Sequence, residues 1–310
     1  MGSDAFIPDV SDWLRRGTFV TVGTDRRWTM FVQDFGDASA PPEATALLLH
    51  GFPESSFSYN RVLEGLLRVF RRVVAPDFLG FGFSDKPEGH PNSIVEQVDL
   101  LENMFAELSL RGAHVIAHDM GSAAACEMLH RHFEEASSSS LTPYSVTLTN
   151  APLVSELVTP GLLIRMLRSK SYGELTARLT VRTLFGRQIR RANGTRKLSR
   201  EDILHMWEIL AVSGGHRRVH LLMRYVDDRD RFEQTRWLPS IRLACEASIP
   251  VRLVWGDADR IDPVDMAHHI KDTWCPSASL RVIQNGGHFL QLDSPEDWLG
   301  AVLPPFLRTE

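Results

Sequence analysis

A chain of 310 residues, 43% hydrophobic and 24% charged, is long enough for one large globular domain with an insertion, and its polarity is ordinary. A formal charge of -5 leaves no basic footprint for nucleic acid, and the arginine pairs Arg71-Arg72 and Arg190-Arg191 read as solvated helix or loop faces. No run approaches the roughly 18 apolar residues of a membrane span, and Met1 to Phe6 lacks a basic region followed by an apolar one, so a cytoplasmic chain with no membrane partner is expected.

The first half alternates strand-like and helix-like runs, the signature of a parallel sheet covered by helices. Thr18 to Val22 and Trp28 to Val32 read as an opening antiparallel pair. Ala44 to Leu49, Arg72 to Ala75 and Ala113 to Ala117 read as short buried strands, with a helix over Ile94 to Leu108. Cys126, Cys245 and Cys275 are odd in number and far apart, with no CxxC pairing and no histidines at zinc-site spacing, so reduced thiols and no metal are expected. The serine-rich stretch Glu135 to Thr142 reads as a surface loop before a strand at Val146 to Thr149.

Strand signals vanish from about Leu153 to Trp237, where the pattern is helical with arginine-rich polar faces. The expected organisation is therefore a core over 1–152, a helical cap over 153–237 and a returning core over 238–310. Within the cap, Asn193-Gly194-Thr195 reads as a polar turn, and Ser199 with Asp202 three residues later marks a helix start. Strands resume at Val251 to Trp255 and Leu280 to Ile283, and Ser294-Pro295 opens a last helix.

The run Val115-Ile116-Ala117-His118-Asp119-Met120-Gly121-Ser122 passes abruptly from strand to helix, with small residues two places either side of Asp119. Such a turn holds its central side chain exposed and strained, as a nucleophile requires. An aspartate there attacks carbon to give an alkyl ester, whereas a serine would attack acyl carbon, so the expected substrates are epoxides or alkyl halides. Ser122 lies past the turn.

Hydrolysis of that ester needs a base and a group to orient it. His288 follows the last strand and Asp259 follows the one before it, giving the order Asp119, Asp259, His288 at strand carboxyl ends. Asp257 and Asp262 are neighbours of the same type; Asp259, three residues after Gly256, is preferred. The backbone amides of Phe52 and Met120 are the expected oxyanion donors.

At these residues the chain resembles the α/β-hydrolase superfamily, and within it the aspartate-nucleophile branch of epoxide hydrolases and haloalkane dehalogenases. His50-Gly51-Phe52-Pro53-Glu54-Ser55 is similar to the epoxide-hydrolase form of the oxyanion motif. Ala75-Pro76-Asp77-Phe78-Leu79-Gly80-Phe81-Gly82-Phe83-Ser84-Asp85-Lys86-Pro87 is similar to a segment of both families, and also resembles mesoderm-specific-transcript-type hydrolases. The resemblance implies a mostly parallel eight-stranded sheet with helices on both faces and an inserted helical cap. It also implies two cap tyrosines that donate to the epoxide oxygen, and the cap holds only Tyr172 and Tyr225.

Two departures stand out: Met120 where tryptophan commonly follows the nucleophile, and Ala117 for a frequent glycine. The missing indole weakens a dehalogenase reading more than an epoxide-hydrolase one, because dehalogenases use it to hold halide. A cap tryptophan such as Trp207 would be a substitute donor, though its helix face reads as core. The resulting expectation is an epoxide hydrolase that uses a small hydrophobic epoxide and water in an apolar pocket between sheet and cap, without metal or organic cofactor, and open to homodimer formation. The alternatives are a haloalkane or haloacid dehalogenase with the same triad, and a non-catalytic ligand-binding member of the fold.

Overall fold

The computed structural model of the chain describes residues 9–135, 141–158 and 161–303. Its eight strands are β1 (Thr18–Val22), β2 (Trp28–Gly36), β3 (Thr45–Leu49), β4 (Arg72–Pro76), β5 (Gly112–His118), β6 (Thr142–Thr149), β7 (Val251–Gly256) and β8 (Ser279–Ile283). They form one sheet in the order β1-β2-β4-β3-β5-β6-β7-β8. β1 pairs antiparallel with β2 and β2 with β4, and every later pairing is parallel.

The alternation of side chains along these strands builds two cores, one on each face. Leu47, Val74, Val115 and Leu253 pack on one side with the helices Ile94–Glu107, Met120–Glu134 and Leu238–Glu246. Ala46, Leu48, Val73, Ile116 and Val254 pack on the other with Leu66 and with Trp298 of the helix Pro295–Val302. Strands buried on both faces read as continuous apolar runs, which is why β3, β4 and β5 stand out in the sequence.

Among the described residues no strand lies between β6 and β7; that stretch is helical, including Leu162–Arg168, Gly173–Arg178, Arg182–Ala192, Arg200–Ala211 and Tyr225–Phe232. The start at Ser199 is a full capping box: its Oγ accepts from the Asp202 amide at 2.9 Å while Asp202 Oδ2 accepts from the Ser199 amide at 3.0 Å. No helix among the described residues is long and apolar enough to cross a membrane.

Three expectations need correcting. Arg72 is not on a solvated face: only 2% exposed, it forks onto Asp34 at 2.8 and 2.9 Å and donates to the carbonyls of Ala38 and Leu108. Pairing of β4 with β2 sets Arg72 opposite Gly36, diagonal to Asp34 two residues along the strand, a cross-strand relation that a local reading of two adjacent arginines misses. Cys245 and Cys275 are not separate thiols but form a disulfide, with Cα atoms 5.7 Å apart. Packing of the helix Leu238–Glu246, which carries Cys245, against the helical turn Ile270–Trp274 before Cys275 brings together residues 30 positions apart; Cys126 remains free and buried. β6 begins already at Thr142, and of the serine-rich loop residues 136–140 lie outside the described residues.

Candidate active site

Asp119 stands between β5 and the helix Met120–Glu134 with φ 46° and ψ -124°. An aspartate in that region costs roughly 1–3 kcal/mol, so the surrounding fold must hold it there. Its neighbours are crowded to the point that a Cβ at Gly121 would strike the carbonyls of Leu49 and His50, and one at Gly51 would strike the Asp119 side chain. Glycine is required at both. Ser122 is buried, with its Oγ donating to the Ala117 carbonyl at 3.2 Å, so it has no nucleophilic geometry.

The Asp119 carboxylate faces two amides. Phe52 N donates to Oδ2 at 2.6 Å, and the Met120 amide also bonds to this side chain. The Phe52 donor comes from the turn after β3, where the Phe52–Pro53 peptide is cis. Burial raises the Asp119 pKa, while the His288 charge and the two amides pull the other way.

His288 follows β8 and Asp259 follows β7, and His288 Nδ1 donates to Asp259 Oδ2 at 2.9 Å. Asp259 is itself fixed: Oδ1 accepts from the amides of Ile261 at 2.7 Å and Asp262 at 3.1 Å, and Asn150 Nδ2 donates to Oδ2. Burial alone would lower the His288 pKa, but the charges of Asp259, Asp119 and Asp262 outweigh it and push the value up to about 10. The imidazole is therefore protonated at neutral pH and lies beside the Asp119 carboxyl group.

Asp262, passed over in favour of Asp259, is also here. It is 1% exposed, Oδ2 lies 3.8 Å from His288 Nδ1 with no hydrogen-bond partner, and burial together with Asp259 raises its pKa well above the usual range. Asp257, in contrast, only caps a turn by accepting from the Asn285 amide at 2.6 Å. Asp119, Asp262 and His288 offer atoms within 4.8 Å of one another and form the one group among the described residues that could hold a metal ion. The same atoms are those that an Asp-His nucleophile and base pair needs.

From the cap, Tyr225 is buried at the start of the helix Tyr225–Phe232, its ring centroid 6.5 Å from that of Phe52. Burial, then the nearby charges of Asp119 and Asp262, raise its pKa well above 10, so the phenol keeps its proton. Tyr172 is elsewhere. It is 64% exposed beside the helix Gly173–Arg178, and no contact joins it to Asp119, His288 or Tyr225. The expectation that it is a second ring-opening tyrosine is corrected: an early position in the cap sequence does not fix which face of the helix a residue takes.

Several supporting residues escaped sequence reading. Asn150, at φ 44° after β6, bonds Asp259, the Gly287 carbonyl at 3.1 Å and the Gly256 amide at 3.3 Å, tying three loops together. A polar residue at a strand's carboxyl end was the available signal. Asn193, read as part of a polar turn, is 1% exposed and accepts from the Phe289 amide at 3.0 Å, so the cap holds the loop that carries His288. Glu54 is buried with Gln291 at 2.8 Å and His118 Nε2 at 3.3 Å, and burial pushes its pKa up to about 8. Met206, Ile209 and Leu292 line a small cavity of about 10 Å³ against Pro53 and Glu54, on the seam of cap and sheet.

Fold and site together define a capped α/β hydrolase. Residues 46–301 match the alpha/beta hydrolase family, and the chain belongs to it. It is 31% identical to the mesoderm-specific transcript protein of Mus musculus over 96% of this chain and 87% of that one. It is 32% identical to the putative hydrolase LipZ of Mycobacterium tuberculosis over 96% and 97% of the two chains. Among solved structures, a haloalkane dehalogenase loop variant from Bradyrhizobium elkanii superposes with a TM-score of 0.67 at 21% identity, covering 92% of this chain and 96% of that one, a likeness of fold.

Proposed function

We propose that the protein is an epoxide hydrolase that converts a hydrophobic epoxide to a vicinal diol through an alkyl ester of Asp119. The observation that carries the reading is a buried, protonated Tyr225 beside an aspartate at the nucleophile turn, with one aspartate oxygen already bound by the Phe52 amide. With Oδ2 on the Phe52 amide, Oδ1 is the attacking atom. It adds to an epoxide carbon while Tyr225 donates a hydrogen bond, then its proton, to the ring oxygen.

Esterification removes the negative charge of Asp119, one of the charges that hold the His288 pKa up. The imidazolium then becomes acidic enough to give up its proton, which returns the Tyr225 phenolate to the phenol, and the neutral base, oriented by Asp259, takes a proton from water. Water adds to the Asp119 carbonyl carbon and the oxyanion develops on Oδ2, against the amides of Phe52 and Met120. Cleavage of the bond from that carbon to the alkyl-bound oxygen expels an alkoxide, which takes the proton of the new Asp119 carboxyl group, so that the diol leaves and the carboxylate stands again beside a protonated His288. The nucleophile's charge thus switches the base on only after the ester has formed.

A dehalogenase would need donors for departing halide. Met120 has none, and Trp207 packs its ring against Phe185 at 5.5 Å and His216 at 5.1 Å inside the cap. Trp237 and Trp255 donate to Glu127 Oε2 and the Asp262 carbonyl.

The test is one turnover of excess enzyme with styrene oxide in water enriched in heavy oxygen, followed by peptide mass spectrometry. Diol formation with label in the Asp119 peptide, both lost in Asp119→Asn, is the expected result. Bromide release from 1-bromobutane with the same labelling, and no diol from any epoxide, would overturn the substrate class.

A further inference from the structure

One segment of the cap, Gly161 to Lys197, exposes many apolar side chains and is rich in basic ones, which the reaction above does not use. Among the described residues, thirteen large hydrophobic side chains are exposed, and seven of them fall between Leu162 and Leu184. Leu162, Leu179, Tyr172, Leu175 and Val181 are each more than half exposed. Leu162 and Met166 share one face of their helix by i, i+4 spacing, as do Leu175 and Leu179 of the next, and the two helices pack against each other. Isolated exposed leucines need no explanation; a run of them on adjoining helices does.

Charge identifies the partner. From Gly161 to Lys197 there are ten lysines and arginines against one acid, Glu174. That segment's +9 sits in a chain of -5, so the remainder carries -14. Arg168 and Arg178 are engaged with Asp227 and Glu174, while Arg165, Lys170, Arg182, Arg187 and Arg191 are exposed and take part in no ion pair among the described residues.

We propose that this face of the cap docks on the surface of an anionic phospholipid bilayer, with leucines and Tyr172 entering the headgroup boundary and the arginines meeting lipid phosphates. The helices are short and none is built to span, so the protein lies on the membrane. Apolar area and basic charge act together on such a surface. A second copy fits poorly, because a two-fold contact sets Arg165, Lys170, Arg182, Arg187 and Arg191, unpaired among the described residues, against their own copies. A nucleic acid would use the arginines but leave the exposed aliphatic side chains without a role, and Tyr172 is the sole exposed aromatic of the segment to stack on a base.

The experiment is flotation of the full-length protein with vesicles of phosphatidylcholine alone or with 30% phosphatidylglycerol (about one lipid in three, enough to set a negative surface potential). Binding to the anionic vesicles only, weakened in high salt, is expected. Arg182→Glu with Arg187→Glu and Arg191→Glu, and separately Leu175→Ser with Leu179→Ser, should each lower the partition coefficient about tenfold or more, with hydrolysis of a water-soluble substrate and the circular dichroism spectrum unchanged. Equal binding to both vesicle types, or none to either, overturns the proposal. So does a dimer that Leu175→Ser with Leu179→Ser dissociates, or RNA binding that survives the leucine changes while vesicle binding is absent.

Discussion

Asp119 faces two parts of the molecule that are held to it in different ways. On the sheet side hydrogen bonds hold each group: Asp259 by two amides and Asn150, His288 by Asp259, and the Asp119 carboxylate by the Phe52 amide. On the cap side a single phenol, Tyr225, reaches in, while the cap's other tyrosine and leucines such as Leu162, Leu175 and Leu179 are exposed. In the proposed reaction the core supplies preorganised charge, which must be rigid to act, and the cap supplies one proton donor. Changes in the two regions should therefore differ in kind as well as in size.

The largest effect is expected from His288→Gln. It should leave ester formation possible and stop hydrolysis, lowering steady turnover by roughly 10⁴-fold, with the intact protein gaining the mass of one substrate. A fast burst without accumulated adduct would break the division of labour between Asp119 and His288.

Next comes burial of charge in the core. Glu54 has its pKa raised from 4.5 to about 8, so the folded state holds its proton more tightly than the unfolded chain. Its contribution to stability is present below pH 4.5 and is lost as pH rises through about 8. His288 has the same sign, its contribution being complete below pH 6.5 and lost through about 10. Stability should fall from pH 6 to pH 9, and Glu54→Gln should recover up to roughly 5 kcal/mol at pH 9, at 1.36 kcal/mol per pH unit. Denaturant melts at the two pH values check this; a variant as pH-sensitive as the parent contradicts it.

Tyr225→Phe should reduce kcat/KM for an epoxide by roughly 10²-fold or more, whereas Tyr172→Phe should stay within about twofold. Parallel losses in steady-state kinetics would erase the contrast between the two tyrosines. The smallest effect is expected on the cap surface, where Leu175→Ser should shift unfolding by less than about 0.5 kcal/mol. Leu48→Ala, fully buried in the sheet, should cost about 2–5 kcal/mol.

The same contrast explains what could be read from sequence. β3, β5 and β7 announce themselves because both their faces are buried, and Asp119 and Asp259 are legible because each follows such a strand; His288 follows the mostly exposed β8 and is marked by the two glycines before it. Tyr225 and Tyr172 could be selected only by region, since the orientation of a cap helix depends on packing between distant elements. Asp262 and Asn150 were hidden for another reason: aspartate and asparagine are common turn formers, and only the tertiary meeting of the loops after β6, β7 and β8 turns them toward the histidine. Arg72 and the cysteine pair likewise depend on contacts far apart in sequence.

The bridge between Cys245 and Cys275 encloses more than two helix ends. Between the two sulfurs run β7 and the loop bearing Asp259 and Asp262, while Asp119 and His288 lie outside that stretch. The acids that surround the histidine are thus carried on a closed covalent ring, and the ring confines the unfolded chain, a restriction worth about 3–4 kcal/mol for a circuit of this length. Reduction would leave every contact at the site in place and would still give the acid segment a longer tether, so the same active site would rest on a less constrained chain in a reducing compartment than in an oxidising one.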